Sequence, residues 1–197
     1  MGKIKMTDRI DKLLDFLKEI EKFKNVERVT LSSNRSYEND MEHSWHLAMF
    51  LILFEKDLPK NLDMAKVLKL ALIHDIAELY VGDISIFDEE KRKTKKDEEM
   101  KAAKKLFSQL PRDIGNDFMT LFEDYEEQKS SESKIVKLFD KLQPILQNIC
   151  SKGESWKKSN LKYEDIDKLK RKYVEHDFLL KNIYDKLMGE AREKGFL

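Results

Sequence analysis

The stretch Leu70-Ala71-Leu72-Ile73-His74-Asp75-Ile76-Ala77-Glu78 decides how this chain reads. With Val67 and Leu68 before it, apolar residues occupy nearly every side of a 3.6-residue repeat, the pattern of a helix buried all round. An aspartate in such a segment faces an interior where an unpaired charge is costly, so Asp75 requires a cation or a hydrogen-bonding partner. Glu78 follows His74 by four residues and Asp75 by three, which lets the three side chains converge at one helix end. Asp63 can open this third helix and Gly82 can end it.

Working outward, Ile10, Leu13, Leu14, Leu17, Ile20 and Phe23 recur at steps of three and four. They predict helix one at about Asp8 to Lys24, with Thr7 as its cap. The periodicity vanishes between Asn25 and Asp40, where Ser, Asn and Thr predominate, so an ordered loop is expected there. Asn39 with Glu42 three residues later resembles a capping box and opens helix two, which runs to about Lys56 before Pro59. Beyond Gly82 a polar stretch, Asp83 to Lys96, precedes a fourth helix opened by Thr94 and stopped by Pro111. A fifth helix carries Phe118, Leu121, Phe122 and Tyr125. The sixth starts at Ser131 and carries Ile135, Leu138, Phe139, Leu142, Ile145, Leu146 and Ile149. Pro144 within it removes an amide donor and is expected to kink it. A last long helix is expected from about Tyr163 to Lys186. The fold class is therefore all-α, a single compact domain over residues 1–197 with about seven helices and no internal repeat.

Composition agrees with that reading. Hydrophobic residues make up 41% of 197, enough for a substantial core, while 6 Gly and 3 Pro leave few turns for a many-stranded fold. The 38 basic residues balance 38 acidic ones, which disfavours general electrostatic binding to nucleic acid or to an anionic membrane. The longest apolar run, Leu47 to Phe54, is far shorter than the ~18–20 residues that span a bilayer. A single cysteine, Cys150, and no apolar leader segment in Met1 to Ile10 predict a cytoplasmic protein.

Four histidines are available for chemistry: His43, His46, His74 and His176. His43 lies in the first turn of helix two, and Asp140 sits in an otherwise apolar part of helix six. Three helices can thus each direct a histidine or aspartate into one space. Two imidazoles and two carboxylates suit a divalent transition metal (Mn, Fe, Co, Ni or Zn) better than Mg or Ca. Residue patterns alone leave the alternatives open. By pattern alone His74-Asp75 reads more readily as a hydrogen-bonded core cluster than as a metal site, and Asp140 as a buried salt-bridge partner. His46 and Trp45 read as packing residues, and Lys91 to Lys96 as a solvated loop. A second His-Asp dipeptide, His176-Asp177, lies among charged residues and reads as a solvated or structural pair.

The ordered set His43, His74-Asp75 and Asp140 resembles the H…HD…D signature of the HD-domain metal-dependent phosphohydrolases. Three local sequences resemble the branch that contains the bacterial 5'-deoxynucleotidases: Glu38-Asn39-Asp40-Met41-Glu42-His43-Ser44, His74-Asp75-Ile76-Ala77-Glu78 with Gly82-Asp83 after it, and Phe139-Asp140-Lys141-Leu142-Gln143-Pro144. The likeness covers about residues 28–144, with the last helix expected to pack on that part. It implies that His43, His74, Asp75 and Asp140 bind one metal ion, that Glu78 is the catalytic acid or base, and that Asp83 is a further acid in the pocket. It also implies that Arg28 lies near the sugar or phosphate. The deoxynucleotidases carry tryptophan beside that arginine and this chain carries Val29, which leaves ribose and deoxyribose both open.

The expected activity is hydrolysis of a nucleoside (deoxy)5'-monophosphate to nucleoside and phosphate by attack of activated water. Glu78 would manage a proton, and Arg28 or Arg35 would offset phosphate charge. The alternatives are an HD hydrolase of another phosphoester, such as a nucleoside triphosphate or an alarmone, and a non-catalytic helical module that senses metal or nucleotide. No Gly-rich phosphate loop and no serine or cysteine nucleophile arrangement stands out. The partners expected are a nucleotide and, in a homodimer, a second copy of the chain.

Overall fold

A computed structural model describes residues 6–84 and 89–197, with the side chains of 89, 91 and 92 left aside. The start of the Met1 to Ile10 segment and residues 85–88 of the Asp83 to Lys96 stretch lie outside the described residues, as do the side chains of Lys91 and Arg92. The described residues form ten α-helices and one two-stranded hairpin.

α1 (Met6–Glu21) leads through a single 3₁₀ turn, Lys22–Asn25, to β1 (Glu27–Leu31) and β2 (Tyr37–Asn39). α2 (Asp40–Leu53) and α3 (Met64–Ile73) follow, then the short α4 (Glu78–Val81), α5 (Glu89–Phe107) and α6 (Arg112–Glu127). α7 (Ser131–Cys150), α8 (Glu154–Lys158), α9 (Tyr163–Val174) and α10 (Phe178–Glu193) complete the chain.

Local chemistry explains most of these limits. Asn39 caps α2 with a full capping box, its side chain accepting from the Glu42 amide while the Glu42 carboxylate accepts from the Asn39 amide. Asp63 caps α3, and Ser130 caps α7 one residue ahead of the expected start. Thr7 lies inside α1 rather than capping it. α7 runs through Pro144 without interruption.

Four elements depart from expectation. The Asn25–Asp40 loop contains the antiparallel hairpin, with Glu27 opposite Asn39 and Leu31 opposite Tyr37. Val29, Thr30 and Leu31 favour extended backbone, and the turn is closed by Ser32 N–H to Ser36 O and by Asn34 Oδ1, which accepts from the Ser36 amide. α5 begins ahead of Thr94. The expected helix from Asp63 to Gly82 divides between His74 and Ala77, where the Ile76 and Glu78 amides bond back three residues, to Ile73 and Asp75. The expected last helix is two, because Asp177 accepts from the Leu180 amide and starts α10 anew.

One apolar cluster centres on α2, α3 and α7 and takes in Leu47, Leu51, Leu70, Val136, Phe139 and Leu142, continuing to Leu180 and Tyr184 of α10. A second, with Phe16, Ile73, Ile76, Leu106, Phe107 and Phe122, lies between α1, α5 and α6. α3 contributes to the first through Leu70 and Ala71 and to the second through Ile73, so His74-Asp75 falls at the seam. Asp124 ties α6 to its neighbours: Lys66 Nζ stands 2.7 Å from Oδ2, and Ser130 and Ser133 hydroxyls and the Ser130 amide donate to the same carboxylate.

Candidate metal and substrate site

The first turn of α2 carries His43, and the second half of α7 carries Gln143. Gln143 Nε2 donates to Glu38 Oε1 at 2.7 Å, which turns its Oε1 toward His43 Nδ1 at 2.8 Å. An amide oxygen only accepts, so His43 carries its proton on Nδ1 and presents the Nε2 lone pair inward. His74 is fixed in the same way: Nδ1 donates to the Ala71 carbonyl at 2.9 Å, leaving Nε2 free. Both Nε2 atoms are buried and neither has a hydrogen-bond partner.

Two carboxylates meet these nitrogens. Asp75 Oδ2 lies 3.0 Å from His74 Nε2 and 3.8 Å from His43 Nε2. Asp140 Oδ1 lies 3.2 Å from His43 Nε2 and 3.9 Å from His74 Nε2. The four expected ligands are therefore brought together, and His43, His74 and Asp75 form one of two groups of potential metal-binding side chains among the described residues. The donor set fits a divalent cation: two buried imidazole nitrogens without a hydrogen-bond partner face two carboxylate oxygens.

Charge in the cluster is arranged to keep the acids ionised. Burial would raise Asp75, but His74 and Arg28 hold it well below the usual carboxylate range. Burial likewise opposes Asp140, and Lys141, His43 and Lys137 hold it down. Burial and Arg28 lower His43, while Asp75 raises His74 against the cost of its burial.

Arg28, from β1, lies beside this centre, its Nη1 2.7 Å from Asp40 Oδ1 and 3.0 Å from Asp75 Oδ2. Glu78 is buried; its Oε1 accepts from Lys95 at 2.8 Å and its Oε2 has no partner. Burial, together with the charges of Asp75 and Asp40, pushes its carboxyl up to about 11. Asp83 lines the adjoining cavities. Arg35 is not brought to the site: it sits at the hairpin turn with a left-handed φ of 70°, exposed and paired with Glu154.

Several readings of neighbouring residues change. Lys95 belongs to α5 and is bound by Glu78 and Glu99 rather than lying in a solvated loop. Trp45 is 63% exposed on α2 rather than packed, whereas half-buried His46 contacts Gln143 Nε2 through Nδ1. His176 is exposed and, among the described residues, pairs only with Glu175. Two contributors carried no sequence signal of their own. Gln143 orients His43 from one turn after Asp140, and Asp40, wholly buried, is pushed up to about 7 by burial and by Asp75.

Two cavities open from this centre and share Arg28, Asp83, Ile84, Asp140 and Lys141. The polar one, about 190 Å³, is walled by Asp75, Glu78, Lys95 and Lys137. The other, about 110 Å³, is walled mainly by apolar groups including Pro144, Ile145, Trp156, Leu161 and Ile166. A charged chamber at a potential metal centre therefore adjoins a largely apolar one.

The family described as HD domain matches residues 20–181. The chain belongs to the HD-domain family. Among curated proteins it is 36% identical over 137 residues to 5'-deoxynucleotidase HDDC2 of Bos taurus, a match covering 68% of this chain and 65% of that one. The human protein of the same name is 33% identical over the same length, with 66% of it covered, so the HD-domain chain spans just under two thirds of these relatives. 5'-deoxynucleotidase VV1113 of Vibrio vulnificus is 28% identical over 175 residues, covering 84% of this chain and 90% of that one. Among solved structures, a protein of Magnetospirillum magnetotacticum described as a predicted metal-dependent phosphohydrolase superposes with a TM-score of 0.85 at 33% identity, over 96% of this chain and 98% of the other. No helix among the described residues is long and apolar enough to cross a membrane.

Proposed function

We propose that this HD-domain protein is a metal-dependent phosphomonoesterase that converts a nucleoside 5'-monophosphate to nucleoside and inorganic phosphate. The observation that carries the reading is the meeting of two partnerless imidazole nitrogens with the Asp75 and Asp140 oxygens at the junction of a polar and an apolar cavity. The names of the HDDC2 and Vibrio relatives support the same substrate class.

His43, His74, Asp75 and Asp140 would hold one divalent transition ion, Mn, Fe, Co, Ni or Zn in preference to Mg. When bound, such an ion supplies Lewis acidity that polarises a phosphoryl oxygen and acidifies water. The charge of a bound cation would oppose that of Asp75 and Asp40 and draw the Glu78 carboxyl down into its ionised form; one turn after His74 with a free Oε2, it would then take the proton that water loses as its oxygen bonds to phosphorus and the ester P–O bond breaks. A proton returned to the leaving sugar oxygen completes the balance. Arg28 offsets charge on the phosphate, and Asp83, at the border of the two cavities, is the further acid of the pocket.

The same reading takes residues 1–197 as one domain, since the larger apolar cluster draws on helices from α2 to α10. It takes the protein as cytoplasmic, and as a homodimer through the apolar side chains Ile10, Leu14 and Leu17 left exposed along α1. Sedimentation tests the dimer. Stripping the protein with a chelator, restoring each metal in turn, and measuring phosphate release from ribo- and deoxyribonucleoside mono- and triphosphates tests the activity. Release from monophosphates that depends on restored metal is the expected result. Release of pyrophosphate or triphosphate moves the substrate, and nucleotide binding without turnover moves the protein to the sensor class.

A further inference from the structure

Two buried polar residues of the apolar cavity hold side-chain atoms without a protein partner among the described residues and take no part in the catalytic reading. Lys170, on α9, is 8% exposed and lines the cavity one turn after Ile166. Its ammonium has no hydrogen bond and no ion pair among the described residues. The charged groups around it, Arg28, Lys137, Asp140 and Lys141, are engaged elsewhere. Arg28 is held by Asp40 and Asp75, Lys141 by Asp140, and Lys137 lies over the Tyr125 ring. Burial, with the charge of Lys141, pushes Lys170 down to about 7. A lysine that carries this cost without a partner is a donor waiting for an acceptor.

The second group is Asn148 on α7, 3% exposed and lining the same cavity. Its Nδ2 donates to the Pro144 carbonyl at 2.8 Å, which fixes the amide orientation and leaves Oδ1 as a buried acceptor with no partner. Two residues of the chamber wall therefore carry polar atoms without a protein partner, the Lys170 ammonium and the enclosed Asn148 Oδ1, beside apolar groups such as Trp156. An anion satisfies only the lysine and meets the amide oxygen unfavourably. The edge of a nucleobase, with an acceptor and an N–H donor on a flat apolar ring, satisfies both.

We propose that Lys170 and Asn148 are specificity-determining residues that read the nucleobase of the substrate, while the phosphate lies over the His-Asp centre. This rests on the nucleotidase reading, and sugar phosphates without a base separate the two. Lys170→Met keeps length and removes the donor. It is expected to raise KM for nucleoside 5'-monophosphates about 10-fold or more, as for loss of a hydrogen bond from a charged group, while kcat/KM for ribose and deoxyribose 5-phosphates stays within about 2-fold. Lys170→Arg restores part of the loss, and Asn148→Ala raises KM about 5-fold on the same substrates only.

Binding provides an activity-independent readout. Trp45 and Trp156 are the two tryptophans, so a Trp45→Phe background leaves Trp156 as the sole reporter in the cavity wall. Uncharged nucleosides are expected to change its fluorescence, with at least 10-fold weaker binding after Lys170→Met and, should that variant misfold, after Lys170→Gln. Equal loss on sugar phosphates and nucleotides, unchanged KM, or no fluorescence response to nucleosides overturns the proposal. Failure of wild-type turnover with a retained, Lys170-dependent nucleoside response overturns the nucleotidase reading and leaves this one standing.

Discussion

The dipeptide His-Asp occurs twice in this chain, and its two copies have nothing in common beyond their letters. At His74-Asp75 the imidazole is buried, its Nδ1 is bound to a backbone carbonyl, and its Nε2 faces the carboxylates of Asp75 and of Asp140 from α7. At His176-Asp177 the imidazole is 88% exposed, and the aspartate caps α10 through the Leu180 amide. The surroundings, not the pair, set the chemistry: burial makes an unfilled donor atom expensive enough to demand a ligand, whereas in water the same atom demands nothing.

The sharpest way to break this contrast is to exchange the sensitivity of the two pairs. Asp75→Asn is expected to lower metal affinity more than 100-fold and to abolish turnover, beyond the 10–100-fold typical of residues that only orient ligands. His43→Ala, His74→Ala and Asp140→Ala are expected to behave alike. Metal analysis and phosphate release on one folded preparation check this, and two variants with full metal content would dissolve the proposed ligand set.

Next in size is Glu78→Gln, which removes the proton acceptor but no proposed ligand. Turnover should fall ~100-fold or more with metal retained. A metal-replete variant with near wild-type kcat removes Glu78 from the chemistry.

Asp124 sharpens the comparison from another side, as a buried acid whose partners are all present. Burial would raise its pKa, but Lys66, Ser130 and Ser133 hold it below the usual carboxylate range. Its folded value is thus depressed, so its contribution is complete above the unfolded value of about 4 and disappears as pH falls through the folded value. Asp124→Asn is expected to cost ~1.5–3 kcal/mol at pH 7 in urea unfolding, with the gap to wild type closing below about pH 4 and metal content unchanged. A gap that stays constant with pH contradicts the ion-pair account.

The smallest effects belong to the exposed pair. Asp177→Ala should cost ~1 kcal/mol, the worth of a helix cap, and His176→Ala should change neither stability nor metal content. Loss of metal in the His176 variant would show that the wrong pair had been assigned.

Much of this was legible because it is local or periodic. The Asn39-Glu42 capping box, the stop at Gly82 and the apolar face of α7 follow from rules spanning one or two turns. His43, His74, Asp75 and Asp140 were legible as a set through family resemblance, since spacing alone admitted a salt-bridged core. What was hidden is what tertiary packing decides. The hairpin at Glu27–Asn39 depends on pairing between strands too short to show alternation. The placement of Lys95 beside Glu78 needs α5 to fold back over α4, and a lysine such as Lys170 in a charged run gives no sign that it is buried. Arg35 was named for its charge, and the turn that carries it leaves it exposed and paired with Glu154.

The His43–Gln143 contact joins residues 100 positions apart in the chain. Contacts of such separation form after the local ones, because the loop-closing entropy must first be overcome. A nascent α3 presents only His74 and Asp75; the remaining proposed ligands arrive when α2 and α7 have docked. Metal uptake during refolding would therefore lag the gain of helical signal, and the ion would act as a clock that starts only when the three helices have found each other.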